Sequence, residues 1–223
     1  MAQRPRQLEL PTPPTWGGRR NGAGRKPAPG RRRLPHRRRV PHDRRCPVHV
    51  TLRACPDIPS LREDRLFPAV RAAFSRASTR EFRLVQFSIQ RDHVHLILVG
   101  DGLTAFRHGI QGLTIRLAKA INRMLCRRGK VWDDRYHSRE LTTPREVRHA
   151  LVYVLQNWRK HSTRSIGLDP RSSAAWFRGW RGSVGIPAGR PPVVAPRTWL
   201  GSFGWQRYGP IDVDEAPRPS LRR

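Results

Sequence analysis

The chain is short of acidic residues: 16 Asp and Glu stand against 45 Lys and Arg in 223 residues, a formal net charge of +29. A compact surface of one sign repels itself unless anions lie against it, so the deficit calls for a polyanionic partner. Long apolar runs are also missing. No stretch approaches the roughly 18 consecutive apolar residues of a membrane span, so no membrane partner is expected. The N-terminus has arginines where a secretory signal has an apolar core. Three cysteines, Cys46, Cys55 and Cys126, form no C-x-x-C pair. That count argues against a disulfide framework and against a cysteine zinc site, and it makes a reduced cytoplasm the expected location.

The charge is not confined to a tail. Residues 1–45 and 46–165 each carry a net +12, and residues 166–223 a net +5. Segment 1–45 holds eight prolines and five glycines beside arginine clusters at 31–33 and 37–39. It cannot bury enough apolar surface to offset chain entropy, so it reads as a disordered basic tail. Such a tail either follows phosphates or is simply solvated. Beyond residue 165 prolines and glycines return, with Trp176, Trp180, Trp199 and Trp205 among them. An irregular extension over 166–223, anchored to the domain by those aromatics, is expected.

Residues 46–165 have the patterning of a folded domain. Segment 46–54 has strand character, and the region around 60–78 is helical, with Leu61, Leu66, Val70, Ala73 and Phe74 near helical spacing. Segments 82–90 and 93–100 are β-rich runs divided only by Arg91 and Asp92, a hairpin signal. A long helical pattern over 103–129 is interrupted by glycines, and 131–141 reads as a further strand. Segment 144–162 is a strong helix: Thr143 can cap it, Pro144 suits its first turn and Glu146 favours its positive end. Hairpin-linked strands with interspersed helices predict an α+β fold, an antiparallel sheet with helices on one face.

Two residues apart in one strand, His93 and His95 project to the same face, while Val94, Leu96 and Leu98 take the other. Paired imidazoles of this kind can grip a divalent ion, or they can be ordinary strand histidines. On the last helix Tyr153 and Asn157 are four apart, at the border of the apolar stripe Ala150, Leu151, Val154, Leu155 and Trp158. They project together, either toward a site beside the sheet or simply as half-buried boundary residues.

The run HVHLIL, the segment GKVWDDRYHSREL and the helix YVLQNWRKH, in this order, resemble the single-tyrosine HUH transposases. The likeness is to the insertion-sequence-200 type and, more closely, to the REP-associated tyrosine transposases. HVTLRA resembles the family's first strand and PRTWLGSFGWQRYG the tail of a subgroup, so roughly residues 46–210 are covered. The resemblance implies a ferredoxin-like sandwich and a bacterial, nucleoid-associated DNA strand transferase. It implies Tyr153 as nucleophile, giving a 5′-phosphotyrosine intermediate, and His93, His95 and Asn157 as ligands of Mg²⁺ or Mn²⁺. Gln156 is the alternative amide, a position around the helix from Asn157. Single-stranded or hairpin DNA would be the partner, and the chain would act as monomer or homodimer.

Only three tyrosines exist, and Tyr136, beside Asp133, Asp134 and His137, is the rival nucleophile. His49 in the first strand could contact DNA near the site or be structural. Arg116, Lys119, Arg123, Arg127, Arg128 and Lys130 form a basic stretch that can track a DNA backbone, with Trp132 beside it available to stack on a base. The bland alternative is a solvated helix face with Trp132 in the core. A nucleic-acid-binding protein on the same fold without catalysis, and a metal hydrolase using the histidine pair, are the competing functional readings.

Overall fold

Val48, Val50 and Leu52 alternate with His49, Thr51 and Arg53 along the first strand, β1 (Val48–Arg53), so one of its faces is apolar and the other carries chemistry. The computed structural model describes residues 42–160 and 167–217. The proline- and arginine-rich residues 1–41, expected to form most of a disordered tail, lie outside the described residues, as do 161–166 and 218–223.

After β1 come α1 (Phe67–Ser75), β2 (Phe82–Ile89), β3 (His93–Gly100), α2 (Leu103–Met124), β4 (His137–Glu140) and α3 (Pro144–Gln156). The four strands form one antiparallel sheet in the order β2-β3-β1-β4. This is the β-α-β-β-α-β arrangement of a ferredoxin-like sandwich, with β3 and β1 at the centre. The α+β class, the hairpin at Arg91 and Asp92, and the ferredoxin-like sheet are as expected.

Helix bounds differ in instructive ways. Residues 60–66 are turns, because the Leu61 backbone N–H is spent on Arg91 O (2.8 Å), and α1 begins at Phe67 with Pro68 in its first turn, where no donor is needed. The glycines of α2 do not interrupt it. A Cβ on Gly109 would meet the Phe82 ring at 2.1 Å, so this glycine lets α2 lie close against β2. The helix stops at Met124, not 129. Cys126 takes φ +50°, its N–H bonds Arg123 O, and the Arg127 N–H reaches back to Asn122 O (2.9 Å), a Schellman closure. Of the predicted strand 131–141 only His137–Glu140 pairs as β4, joined to β1. The helix from Pro144 begins with the expected cap: Thr143 Oγ1 accepts from the Glu146 N–H while Glu146 accepts from the Thr143 N–H. At Gln156 it tightens into a 3₁₀ turn over Asn157–Lys160.

The expectation of helices on one face is corrected. Helices α1 and α2 cover the face formed by Val48, Val50, Leu52, Val94, Leu96 and Leu98, where Phe74 and Phe87 stack with centroids 4.3 Å apart. Helix α3 takes the other face, with Val85, Ile97 and Val99 packed against Val147, Ala150, Leu151, Val154 and Leu155. The reason lies in β2. Its pairing slips between Leu84 and Gln86, a bulge that leaves Phe82, Leu84, Phe87 and Ile89 on the first face and turns Val85 to the second. Each buried side chain of this size contributes about 1.5–3 kcal/mol relative to exposure, so a second apolar patch on the sheet draws the amphipathic α3 onto it. No helix among the described residues is long and apolar enough to cross a membrane.

The extension packs over α3. Of the four tryptophans expected as anchors, Trp180 and Trp205 are buried there, Trp176 is half-buried with Arg71 5.8 Å from its ring centroid, and Trp199 is 51% exposed on the short α4 (Trp199–Ser202). A strap over residues 209–215 is tied by charge to α3 and to the turn that follows it. Arg148 forks onto both Glu215 oxygens (2.6 and 2.8 Å), and Arg159 reaches Asp214 (2.8 Å).

Candidate functional site

The second face of the sheet, at the end away from the apolar patch, is polar by register. Arg53 stands opposite His93, Thr51 opposite His95, and His49 opposite Ile97. On the other side of β1, His137 pairs with Thr51 and Arg139 with His49. Directly opposed residues share a face, so histidines and arginines from three strands lie on this one, with His49 and His95 against Tyr153 of α3.

Within this field His93 and His95 face one another, with their Nε2 atoms 3.0 Å apart. Each ring has a partner for its other nitrogen. His93 Nδ1 bonds Asp92 Oδ1 (2.7 Å); His95 Nδ1 lies 3.1 Å from Thr51 Oγ1 and 3.2 Å from His49 Nε2. Those partners can hold the Nδ1 protons, which leaves both Nε2 lone pairs converging on one point. His95 is almost fully buried, while His93 keeps some exposure.

Tyr153 projects from α3 over this pair. Its ring stands edge-on to His95 with centroids 4.9 Å apart, and 5.7 Å from the ring of His49. Asn157 follows four residues later in helical conformation (φ −60°, ψ −31°), so it remains on the Tyr153 side, and it is 2% exposed. Gln156, the alternative amide, is turned away. Its Nε2 donates to Val213 O in the strap, and its Oε1 accepts from Arg159 (3.1 Å). Gln156 is thus committed to the strap and to Arg159.

Electrostatics follow burial. Loss of water around His49, with His137 and Arg139 nearby, pushes its pKa down to about 4, so the ring is neutral at physiological pH. Burial likewise raises the Tyr153 phenol above its ordinary value. For Asp92 loss of solvent works upward, but the hydrogen bond from His93 and the charges of His93 and Arg53 outweigh it and hold the carboxyl low. An ionised Asp92 thus backs His93.

The donor set fits a divalent ion. Two nitrogens bound at right angles to one octahedral ion, at about 2.1 Å each, are about 3.0 Å apart, which is the separation found between the two Nε2 atoms. No three His, Cys, Asp or Glu that could hold a metal ion converge among the described residues.

The other predicted residues divide. Tyr136 packs partly buried against the first core, on the far side of the sheet from the histidine pair. Arg116, Lys119, Arg123 and Arg128 are exposed on and just beyond α2. Arg127 is spent on Asp57 (2.8 Å) and the Lys130 carbonyl, and the Lys130 ammonium on Asp133 O. Trp132 lies against the first core with its indole N–H donated to Thr114 O (3.0 Å), so the packing alternative describes its position. Helix α2 covers the sheet face opposite the histidine pair. Its C-terminal loop comes round to the same sheet end, where Trp132 bridges Ala54 and the Ala54 N–H bonds Asp92 O (2.8 Å). Thr51, Arg53, His137 and Arg139 were not predicted as site residues, and strand register gathers them. Asp92 needs no register, because it precedes His93 in the chain.

No protein-family model matches the chain, and no curated protein matches it. Among solved structures it is similar to a REP-associated tyrosine transposase bound to a REP hairpin. The TM-score is 0.53 at 17% identity, over 68% of this chain and 93% of that one. The two share a fold.

Proposed function

We propose that this chain is a DNA strand transferase of the tyrosine transposase kind, nicking and rejoining single-stranded or hairpin DNA. The observation that carries the reading is the placement of a tyrosine ring 4.9 Å from one member of a histidine pair whose Nε2 atoms converge at 3.0 Å. A shared fold with a transposase that was solved on a hairpin supports it.

In this reading the Tyr153 oxygen attacks a phosphodiester phosphorus. The P–O bond to the 3′-oxygen breaks, the phenolic proton passes to the departing 3′-hydroxyl, and the phosphate stays on tyrosine as a 5′-phosphotyrosine ester. One ester replaces another, so rejoining needs no external energy source. His93, His95 and Asn157 would hold a divalent cation, Mg²⁺ or Mn²⁺, which supplies charge neutralisation at the phosphate oxygens. Asp92 orients His93, and Thr51 with His49 orients His95. Arg53, on the same face and only loosely paired with Asp92 (3.4 Å), can hold the negative backbone near the phenol, whereas Arg139 is spent on Glu146 (2.6 Å). Arg116, Lys119, Arg123 and Arg128 extend the basic surface toward the rest of a hairpin.

The test is covalent capture. Incubating the full chain with a labelled hairpin-bearing single strand and Mn²⁺ is expected to yield a protein–DNA band that resists denaturant. Tyr153→Phe abolishes it, and His93→Ala or His95→Ala abolishes it while leaving salt-sensitive binding in place. A band that survives in Tyr153→Phe overturns the nucleophile. A wild type that binds the strand yet gives no band favours a binding protein on this fold.

A further inference from the structure

The extension carries an aromatic surface that the chemistry above does not use. Trp199, Phe203 and Tyr208 are 51, 68 and 54% exposed within ten residues of chain, although Leu200 and Trp205 from the same stretch are buried against α3. The surface is fixed in place. Thr198 Oγ1 caps α4 by accepting from the Gly201 N–H (3.1 Å), and the indole N–H of Trp205 donates to Gly201 O (3.1 Å). Trp199 lies flat on Gly204, where a Cβ would meet its ring at 2.8 Å, and the Arg207 guanidinium sits 4.9 Å from its ring centroid. No carboxylate among the described residues pairs with Arg207, and residues 199–208 contain none.

Exposed rings beside an uncommitted guanidinium have a specific ligand chemistry. A ring face stacks on any unpaired base, and a guanidinium held by an aromatic neighbour presents its donors to phosphate. An apolar protein partner would instead bury the Arg207 charge without compensation. The chain's net charge of +29 favours the anionic occupant. We propose that Phe203 and Tyr208 form a stacking platform for unpaired nucleotides, with Arg207, positioned by Trp199, on the backbone between them. The proposal rests on the single-strand reading above for the identity of its ligand. It gives the extension a role in seating the strand on the outer side of the Tyr153 helix.

The experiment reads binding without cleavage. The full chain is titrated, in EDTA, into a dye-labelled thymidine 12-mer and into an abasic strand of equal length, with anisotropy followed at several salt concentrations. Wild type is expected to prefer the base-bearing strand. Phe203→Ala/Tyr208→Ala is expected to weaken that strand about tenfold or more and the abasic strand little, because stacking needs bases. Phe203→Trp/Tyr208→Trp, which keeps ring faces, restores the preference. Arg207→Gln weakens both strands alike and lowers the salt slope by about one. Equal binding of both strands by wild type and the double alanine variant overturns the proposal, as does failure of the tryptophan pair to rescue. Covalent capture is scored separately. Loss of base preference in a chain whose wild type forms no adduct upholds the platform and rejects the nicking chemistry.

Discussion

Asp92 and His93, adjacent in sequence, close on one another at the start of β3: His93 Nδ1 lies 2.7 Å from Asp92 Oδ1. A carboxylate in that position fixes the ring and its tautomer and sharpens the lone pair on Nε2, which points at His95. Replacing it with an amide leaves the shape and removes the charge.

Asp92→Asn is therefore expected to raise the Mn²⁺ concentration for half-maximal adduct formation by about 10–100-fold. The yield at saturating Mn²⁺ should stay near that of wild type. A Mn²⁺ titration of adduct formation reads this directly, and an unshifted curve would remove Asp92 from the site.

Burial raises the Tyr153 phenol above 10, so it is protonated at neutral pH. If phenolate is the attacking form, its fraction grows about tenfold per pH unit below that pKa. Single-turnover adduct formation at saturating Mn²⁺ should rise with a log–log slope near one between pH 6.5 and 9. A profile flat above pH 7.5 would mean that another group, or a conformational step, sets the rate.

How far the sequence disclosed these features follows from the range of the interactions involved. Period-two alternation is local, so β1, β2 and β3 and the facing of His93 with His95 could be read from neighbouring residues. The Thr143 cap and the Tyr153–Asn157 spacing are local too. Contacts set by distant pairing were not legible. The bulge that turns Val85 around, the second covered face, and the gathering of Thr51, Arg53, His137 and Arg139 depend on register between strands far apart in the chain. The glycines of α2 looked like interruptions because the reason for Gly109 is a ring on another element. Asn157 was the preferred amide and Gln156 the alternative, but the hold of the strap at Val213 on Gln156 was not legible.

His49 gives a stability prediction with a definite sign. Its folded pKa of about 4 lies below the ordinary 6.5, so the unfolded chain binds the extra proton between those values. Stability from this ring is complete above pH 6.5 and is lost as pH falls toward 4. The loss amounts to about 3 kcal/mol by pH 4. His49→Gln lacks that titration, so the free-energy difference between wild type and variant should shrink or invert over this window. Urea unfolding at pH 7, 5.5 and 4 checks it, and parallel pH profiles for the two proteins would contradict a half-buried neutral ring.

Gly109 tests the packing of α2 on β2. In a free helix alanine is better than glycine by about 1 kcal/mol. Here the added methyl would lie 2.1 Å from the Phe82 ring, which is itself buried between β2 and α2. Either α2 lifts away or Phe82 leaves its rotamer, and overpacking of this kind costs about 1–3 kcal/mol. Gly109→Ala should therefore destabilise despite its better propensity, and Gly109→Ala/Phe82→Leu should recover part of the loss by vacating the ring's volume. The neighbouring Gly112 is the internal control. A Cβ there meets only the flexible end of Arg116 at 3.6 Å, so Gly112→Ala is expected to stabilise the chain slightly. Thermal unfolding of the three variants separates a close helix–sheet contact from a generic glycine effect, because only the former gives the two alanine substitutions opposite signs.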